Sequence, residues 1–257
     1  MPPPGDSRAP TTRFSSRARD YARYRPGYPP SAYDAILEGL GRPADLWAAD
    51  VGAGTGISAR ALAERGLRVI AVEPNAAMRA QAPPHPRIEW RSGTGEATTI
   101  DASTLDLVLC AQSFHWFKAQ TALAEFRRVL RPGGRVALMW NHRATGDPVS
   151  EAYYGLTRTL AVENPPDMAG PPTPDVMREA GLLGVRTVVV PGGQSLDLDG
   201  LIGRARSASY MPREGPAYDV LVARLREIHE RHARPDGTVH LAYATTVHLA
   251  ETPTPGG

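Results

Sequence analysis

The amino-acid sequence predicts an α/β fold with a mostly parallel sheet and helices on both faces. Between residues 45 and 142, short apolar segments alternate with helical ones, and a glycine-rich turn joins the first pair. This alternation is typical of parallel βαβ units. The chain has 257 residues, of which 42% are hydrophobic, so it could form one such domain or two small ones. We interpret it as one domain.

The N-terminal region is predicted to hold a tail and two helices. Residues 1–12 are rich in proline and polar residues, which is typical of a disordered tail. A helix is predicted at 14–24, where a following proline ends it. A second helix is predicted at 31–41, because Pro29-Pro30 is well placed to open a helix.

The central hundred residues contain short apolar runs bounded by turn residues, which mark strands, and longer amphipathic segments, which mark helices. Strands are predicted at 46–51, 68–72, 87–91, 105–110 and 136–140. Helices are predicted at 57–65, 75–81 and 119–130, and Pro132-Gly133-Gly134 is predicted to form a turn.

The C-terminal half is less regular. Proline-rich residues 164–174 are predicted to form a loop, and 251–257 a tail. Helices are predicted at 149–161, 174–181, 198–206 and 216–233, the last from the apolar stripe of Leu221, Leu225 and Ile228. Strands are predicted at 185–190 and 242–249, which brings the number of strands to seven.

Composition excludes several classes of protein. Cys110 is the single cysteine, so the sequence offers no intrachain disulfide framework, and the histidines and cysteine show no zinc-type spacing. No metal is expected. The N-terminal sequence lacks a signal-peptide pattern, and no run of about 18 apolar residues predicts a membrane span. The net charge is +2 with scattered arginines, so no nucleic-acid partner is expected, and the predicted location is cytoplasmic.

The most informative segment is Asp50-Val-Gly-Ala-Gly-Thr-Gly56, between a predicted strand and a predicted helix. Glycines allow a tight turn and close approach of the backbone to a ligand. Glu73 ends the next strand, where a carboxylate can accept hydrogen bonds from both ribose hydroxyls. Because Ile57 stands where a dinucleotide fingerprint needs its third glycine, a nucleoside other than a nicotinamide dinucleotide is favoured.

With these motifs the chain resembles the class I S-adenosylmethionine-dependent methyltransferases, in the small-molecule branch called methyltransferase type 11. The resemblance covers residues 14–142. The matching segments are Asp50–Gly56, Val72–Asn75, Ser92–Ala97, Ala111–Phe117, Leu130–Gly134 and the opening segment Asp20–Pro29.

The resemblance implies a Rossmann-like seven-stranded sheet, mostly parallel with an antiparallel last strand, and added helical cap elements. It also implies one domain over 13–250, followed by the tail. N-terminal lid helices would occupy 13–41, the cofactor-binding core 45–142 and a divergent substrate and cap half 143–250.

The family's roles transfer onto matching residues. Those expected to bind S-adenosyl-L-methionine are Asp50, Gly52, Ala53, Gly54, Gly56, Glu73, Pro74, Thr94, Gly95, Glu96, Ala111 and Gln112. Glu73 would bind the ribose, residues 94–96 would lie near adenine, and Ala111 and Gln112 would pass beside the sulfonium. The family more often has Asp where Thr94 stands.

Catalytic candidates are His115, Asn141 and His142. Because the sulfonium is already activated, a base is needed only for a protonated acceptor. His115 is interpreted either as a base or substrate orienter, or as part of a packed aromatic wall. The candidates for substrate contacts or a lid are Tyr21, Tyr24, Arg25, Trp116 and Tyr210. Arg25 could equally be a surface arginine, and Tyr210 a core aromatic.

The leading hypothesis is methyl transfer to a small-molecule acceptor, with oxygen favoured as the acceptor atom, by a monomer or homodimer. The alternative is an enzyme of the same fold that cyclises or cleaves S-adenosylmethionine, or uses it in other chemistry. A non-catalytic binding module and a nicotinamide enzyme are further alternatives.

Overall fold

The structure is a computed structural model that describes residues 18–162 and 174–254. Its strands are β1 (Trp47–Val51), β2 (Arg68–Val72), β3 (Ile88–Arg91), β4 (Leu105–Ala111), β5 (Leu130–Arg143), β6 (Leu183–Leu196) and β7 (Val239–Glu251). Its helices are α1 (Ala18–Tyr24), α2 (Pro30–Leu37), α3 (Ile57–Glu64), α4 (Ala76–Arg79), α5 (Ala119–Val129), α6 (Pro148–Thr159), α7 (Pro174–Glu179), α8 (Leu198–Arg206) and α9 (Gly215–His232).

The seven strands form one sheet in the order β3-β2-β1-β4-β5-β7-β6. Strands β1 to β5 are parallel to one another, whereas β7 runs antiparallel to both β5 and β6. The predicted fold class and antiparallel last strand are therefore confirmed. The strand order reverses between β1 and β4, and in parallel sheets ligands bind at the carboxyl ends of the strands beside such a point.

Three hydrophobic clusters hold the molecule together. On one face of the sheet, α2 and α3 pack through Ile36 and Leu62. On the other face, α5 and α7 pack through Phe126 and Met177. A third cluster joins α6, α8 and α9 to the start of β7. This cap cluster consists of Tyr153, Leu196, Leu201, Ala205, Ala208, Met211, Leu221, Leu225, Val239, Leu241 and Tyr243.

Several predicted boundaries were wrong. Pro132-Gly133-Gly134 is not a turn between elements but an irregularity inside β5. Gly133 has a φ of +77°, and the pairing with β4 shifts register opposite this segment. Strand β6 continues through Pro191 to Leu196, because this strand lies at the sheet edge, where proline costs no ladder hydrogen bond.

The second helix is shorter than predicted, because α2 ends at Leu37 and the following Gly39 adopts a φ of +76°. The last strand extends to Glu251, and the Thr252 N–H donates to the Gly134 carbonyl at 2.8 Å, so the predicted tail from 251 begins at least two residues too early. The predicted tail over 1–12 and nearly all of the loop over 164–174 lie outside the described residues.

Candidate functional site

A cavity of about 560 Å³ lies at the carboxyl ends of the parallel strands, between the sheet and the cap helices. It is bordered by the turn after β1, by the ends of β2, β4 and β5, and by α1, α6 and α8. The site residues from the sequence that line it are Tyr21, Arg25, Gly52, Ala53, Gly54, Glu73, Pro74, Ala111, Gln112, His115, Trp116, Asn141, His142 and Tyr210.

The turn after β1 can be built only with glycine at its first position. Gly52 has a φ of +72°, and a Cβ there would lie 2.5 Å from the Cβ of Ser113. The N–H groups of Gly52 and Ala53 both donate to the carbonyl of Val72, at 2.9 and 3.1 Å. These bonds fasten the turn to the end of β2, so the backbone itself forms this wall of the cavity.

Glu73 follows β2 and faces the same wall. Its Oε2 accepts from the Gly54 N–H and its Oε1 from the Asn75 N–H, both at 2.9 Å. The residue is only 8% exposed, and this burial raises the pKa of Glu73 while the two backbone donors oppose the shift. Because a carboxylate oxygen can accept two hydrogen bonds, Glu73 retains acceptor capacity for ligand hydroxyls.

Asp50 and Gly56 belong to the predicted binding motif but do not border the cavity. Asp50 is 0% exposed, and its Oδ2 accepts from Ser58 Oγ at 2.8 Å, while its Oδ1 has no partner. Burial raises the pKa of Asp50 to about 7. Gly56 lies against Trp90, where a Cβ would stand 3.0 Å from the indole ring. Both residues therefore support the turn from behind.

Residues 94–96 are also absent from the described cavity wall. Gly95 lies against the ring of Phe117, which does line the cavity and would be 2.4 Å from a Cβ at Gly95. Thr94 pairs with Ala97, and the Glu96 carboxylate accepts from the Lys118 N–H at 2.8 Å. In this structure the turn places Phe117 rather than contacting the cavity itself.

The segment after β4 crosses the cavity floor. Gln112 has a φ of +55°, in the left-handed region that costs a non-glycine residue free energy, and its N–H donates to the Met139 carbonyl at 2.9 Å. His115 and Trp116 line the cavity with ring centroids 4.8 Å apart. Phe114 is instead buried in the sheet core. The short turn after β4 thus contributes one side chain to the sheet core and two to the cavity wall.

Asn141 and His142 lie near the end of β5, as predicted. The Asn141 amide donates to the Gly27 carbonyl at 3.1 Å and accepts from Thr245 Oγ1 at 2.6 Å. Asn141 therefore ties the N-terminal segment to the sheet. Both residues border the cavity, and of the two side chains the imidazole of His142 is the one that can take up a proton.

The N-terminal candidates separate into two groups. Tyr21 and Arg25 line the cavity, with the Arg25 guanidinium 5.0 Å from the centre of the Tyr21 ring. Tyr24 does not line it. Its ring packs instead on Gly203 of α8, where a Cβ would lie 2.4 Å away, and its carbonyl accepts from Gln194 Nε2 at 3.1 Å. Tyr24 joins α1 to the cap.

Sequence reasoning missed several wall residues of the cap half, above all Arg204 of α8. Arg204 is 8% exposed and lines the cavity beside Tyr154 and Thr157. A signal was present, because Arg204 stands three residues after Leu201 and four before Ala208, on the apolar face of the helix. Arginine on such a face is unusual and indicates a specific role.

Electrostatically, the cavity wall is basic. Among its described residues Glu73 is the single carboxylate, against four guanidinium groups, those of Arg25, Arg143, Arg158 and Arg204. Arg143 and Arg158 are exposed and screened by solvent. The described residues contain no group of three or more side chains suited to a metal ion, and none of their helices is long and apolar enough to cross a membrane.

Comparison with known proteins gives matches to methyltransferases. Residues 49–138 match a family model described as a methyltransferase domain. An uncharacterised methyltransferase of Mycobacterium tuberculosis is 42% identical over 134 residues, which is 51% of this chain and 52% of the relative. The matched segment thus spans about half the length of this curated relative.

Solved structures match over more of the chain. A protein of Anaeromyxobacter dehalogenans, provisionally named a type II methyltransferase, superposes with a TM-score of 0.62 at 25% identity, covering 90% of this chain and 99% of that one. A phosphoethanolamine N-methyltransferase of Haemonchus contortus, solved with S-adenosyl-L-methionine, gives a TM-score of 0.52 at 17% identity, covering 97% of this chain and 59% of that one. The second likeness shows the fold alone.

Proposed function

We propose that this chain, which carries a class I S-adenosylmethionine-dependent methyltransferase domain, transfers a methyl group from S-adenosylmethionine to a small-molecule acceptor. The family model, the named relatives and the fold support this reading. The main support is the position of Glu73. This buried carboxylate accepts a hydrogen bond from the glycine turn and can still accept further hydrogen bonds from a ribose.

The described wall fits the cofactor. Gly52, Ala53 and Gly54 form a backbone surface with no side chain larger than a methyl group where its amino-acid part would lie, and Glu73 would accept from the two ribose hydroxyls. Pro74 and Met78 offer apolar surface for the adenine ring. We propose that residues 94–96 act on the adenine through Phe117, and that Asp50 and Gly56 act by holding the turn.

When bound, S-adenosylmethionine supplies a methyl group on a cationic sulfur, and S-adenosylhomocysteine leaves with the carbon–sulfur electron pair as the acceptor's lone pair bonds to the methyl carbon. The protein's task is to align the acceptor and exclude water. Ala111 and Gln112 would form the floor there. We propose an oxygen acceptor, for which His142 or His115 would take the proton.

The cofactor assignment is tested by Glu73→Ala. We expect S-adenosylmethionine to bind at least about tenfold more weakly, because a hydrogen bond to a charged group contributes about 1.5–3 kcal/mol. Calorimetric titration measures this. Glu89→Ala is the matched control, because Glu89 is an exposed carboxylate on β3 that pairs with Arg91. Equal affinities in the two variants would contradict the ribose assignment.

The reaction is tested by its product. Incubation with S-adenosylmethionine and an extract of small metabolites should release S-adenosylhomocysteine together with a methylated compound, which mass spectrometry with a labelled methyl group identifies. Methylthioadenosine without any methylated compound would instead support cleavage of the cofactor.

A further inference from the structure

Arg204 is a buried cation without a carboxylate partner. Its side chain leaves α8 into the cap side of the cavity, the residue is 8% exposed, and its Nε has no hydrogen-bond partner. Among the residues that the structure describes, none places a carboxylate oxygen within 4.0 Å of it; Asp20 of α1, the helix that packs on α8, pairs with Arg206 and Arg213 instead. Buried arginines normally have such a partner, because an unpaired buried charge is destabilising.

The groups around Arg204 are tyrosine phenols. Tyr153, Tyr154 and Tyr243 lie close to its guanidinium, and Tyr210 lines the same cavity. Burial raises the pKa of Tyr154 to about 12, so this phenol remains protonated at physiological pH. Phenol oxygens can accept a hydrogen bond but cannot neutralise the charge. The guanidinium therefore keeps an uncompensated positive charge at the cavity wall.

The guanidinium is also held in position. The neighbouring Tyr243 donates from its Oη to Gln194 Oε1 at 3.1 Å and is so fixed beside the guanidinium. The Gln194 amide in turn donates to the carbonyl of Tyr24 at 3.1 Å. A planar cation fixed in this way beside a cavity is suited to an anionic ligand, which it can bind through two parallel hydrogen bonds.

The proposed cofactor does not carry enough negative charge to pair with both Arg25 and Arg204 of the cavity wall. It carries one carboxylate, together with a cationic amino group and a cationic sulfur. Arg25, which is half-buried and whose Nε also has no partner, lines the cavity as well. Even if the cofactor's carboxylate pairs with Arg25, Arg204 still lacks a counter-charge.

We propose that Arg204 binds an anionic group of the methyl acceptor, a carboxylate or a phosphate ester, and so makes this site selective for small organic anions. The proposal rests on the proposed function and deepens it by naming the acceptor's class. Arg204 acts as a specificity-determining residue that holds the acceptor; it is not proposed to take part in bond formation.

The first test needs no variant. The wild-type protein, saturated with S-adenosylhomocysteine, is titrated with octanoate, phenylacetate and phenyl phosphate, and with the neutral partners octanamide, phenylacetamide and phenol, at constant ionic strength. We expect at least one anion to bind about tenfold or more tightly than its neutral partner, as a charge-assisted contact predicts. The carboxylate and phosphate arms show which anion is preferred. Absence of any such preference overturns the proposal.

The second test assigns the preference to Arg204. Arg204→Met should abolish the preference for the anion, while Arg224→Met should retain it, since Arg224 is an exposed arginine of α9 paired with Glu227. Arg204→Met should bind S-adenosylhomocysteine within about twofold of wild type. A loss of cofactor affinity as large as the loss of anion affinity would show that Arg204 holds the cofactor's own carboxylate, and would overturn the proposal.

Two further comparisons keep the outcomes separate. If Arg204→Met does not fold, Arg204→Lys keeps the charge but loses the planar fork, and the anion preference should fall but not vanish. If wild-type protein fails to bind S-adenosylhomocysteine, the proposed function itself is contradicted. Cofactor binding without anion preference contradicts only the assignment of the acceptor's class.

Discussion

The two halves of the molecule form their sides of the cavity in different ways. The core half, residues 45–142, forms its side of the cavity from a glycine turn, strand ends and one carboxylate, with aromatic side chains added after β4. The cap half, residues 143–254 together with α1, builds its side from large side chains on helices that pack on their own hydrophobic cluster. The first surface suits one invariant ligand, whereas the second can be remodelled for different acceptors.

The match to the family model ends close to the boundary between the two halves. The family model matches residues 49–138, and sequence matches cover about half of the chain, whereas the structural likeness to the Anaeromyxobacter protein covers 90% of it. The structural likeness therefore extends beyond the residues that the family model matches. The cap has a hydrophobic cluster of its own, so we expect that side chains in the cap can change without disturbing the packing of the sheet.

The largest expected effects come from truncating one leucine in each half. Leu109 of β4 and Leu221 of α9 are both fully buried, in the sheet cluster and the cap cluster respectively. Each Leu→Ala change should lower the free energy of unfolding by about 3–5 kcal/mol through lost burial and the cavity left behind. Denaturant unfolding followed by fluorescence and circular dichroism measures both.

The comparison of the two halves depends on which elements each leucine substitution destabilises. Hydrogen exchange read by mass spectrometry should show faster exchange throughout the sheet in Leu109→Ala, but mainly in α6, α8 and α9 in Leu221→Ala. Matching exchange patterns in the two variants would mean that the halves unfold as one unit, and the proposed independence of the cap would be wrong.

Intermediate effects are expected from adding one methyl group at two close contacts. Gly52→Ala combines a left-handed backbone with a Cβ 2.5 Å from Ser113, so it should cost about 2–4 kcal/mol of stability and weaken cofactor binding strongly. Gly203→Ala places a Cβ 2.4 Å from the Tyr24 ring, and α1 must shift to make room. It should cost about 1–3 kcal/mol.

The two glycine variants separate the functions of the halves. Calorimetry should find S-adenosylmethionine affinity reduced much more by Gly52→Ala than by Gly203→Ala, because Gly203 packs on Tyr24 of α1, away from the turn that we propose binds the cofactor. The reverse order would place the cofactor against α1 and α8, and the assignment of the two walls would have to be exchanged.

The same division describes what the sequence could predict. In the core half, strand and helix periodicity and the order of the motifs were enough to locate the elements, and Glu73 and the glycine turn lie at the cavity as expected. Residues 94–96 were also expected at the cavity but do not line it. A motif position does not reveal that Phe117 lies between Gly95 and the cavity. Packing between distant segments decided this.

The cap half was harder for two physical reasons. Pro191 and its two following glycines are typical strand breakers, yet antiparallel pairing with β7 carries β6 through them at the sheet edge. Arg204 was overlooked because 29 of the residues are Lys or Arg, so one more arginine was not informative. Only its position among Leu201, Ala205 and Ala208 distinguishes it from the surface arginines.

A smaller and pH-dependent effect is expected from Asp50, a fully buried carboxyl group of the core half. Its pKa is about 7 in the native state, against about 3.9 in an unfolded chain, because burial disfavours the carboxylate. The native state therefore binds more protons between these values, and stability falls as the pH rises from about 4 to about 7. Asp50→Asn removes this dependence and keeps an acceptor for Ser58.

Urea unfolding at pH 5 and pH 8 measures the contribution of Asp50. Wild type should lose about 1–3 kcal/mol more stability between these values than Asp50→Asn does. Arg204→Met is the control from the cap half: arginine stays charged at both values, so removing Arg204 should leave the pH dependence of wild type intact. Equal slopes for wild type and Asp50→Asn would show that Asp50 is ionised throughout. The core half would then bury a full charge beneath the glycine turn, as the cap half does at Arg204.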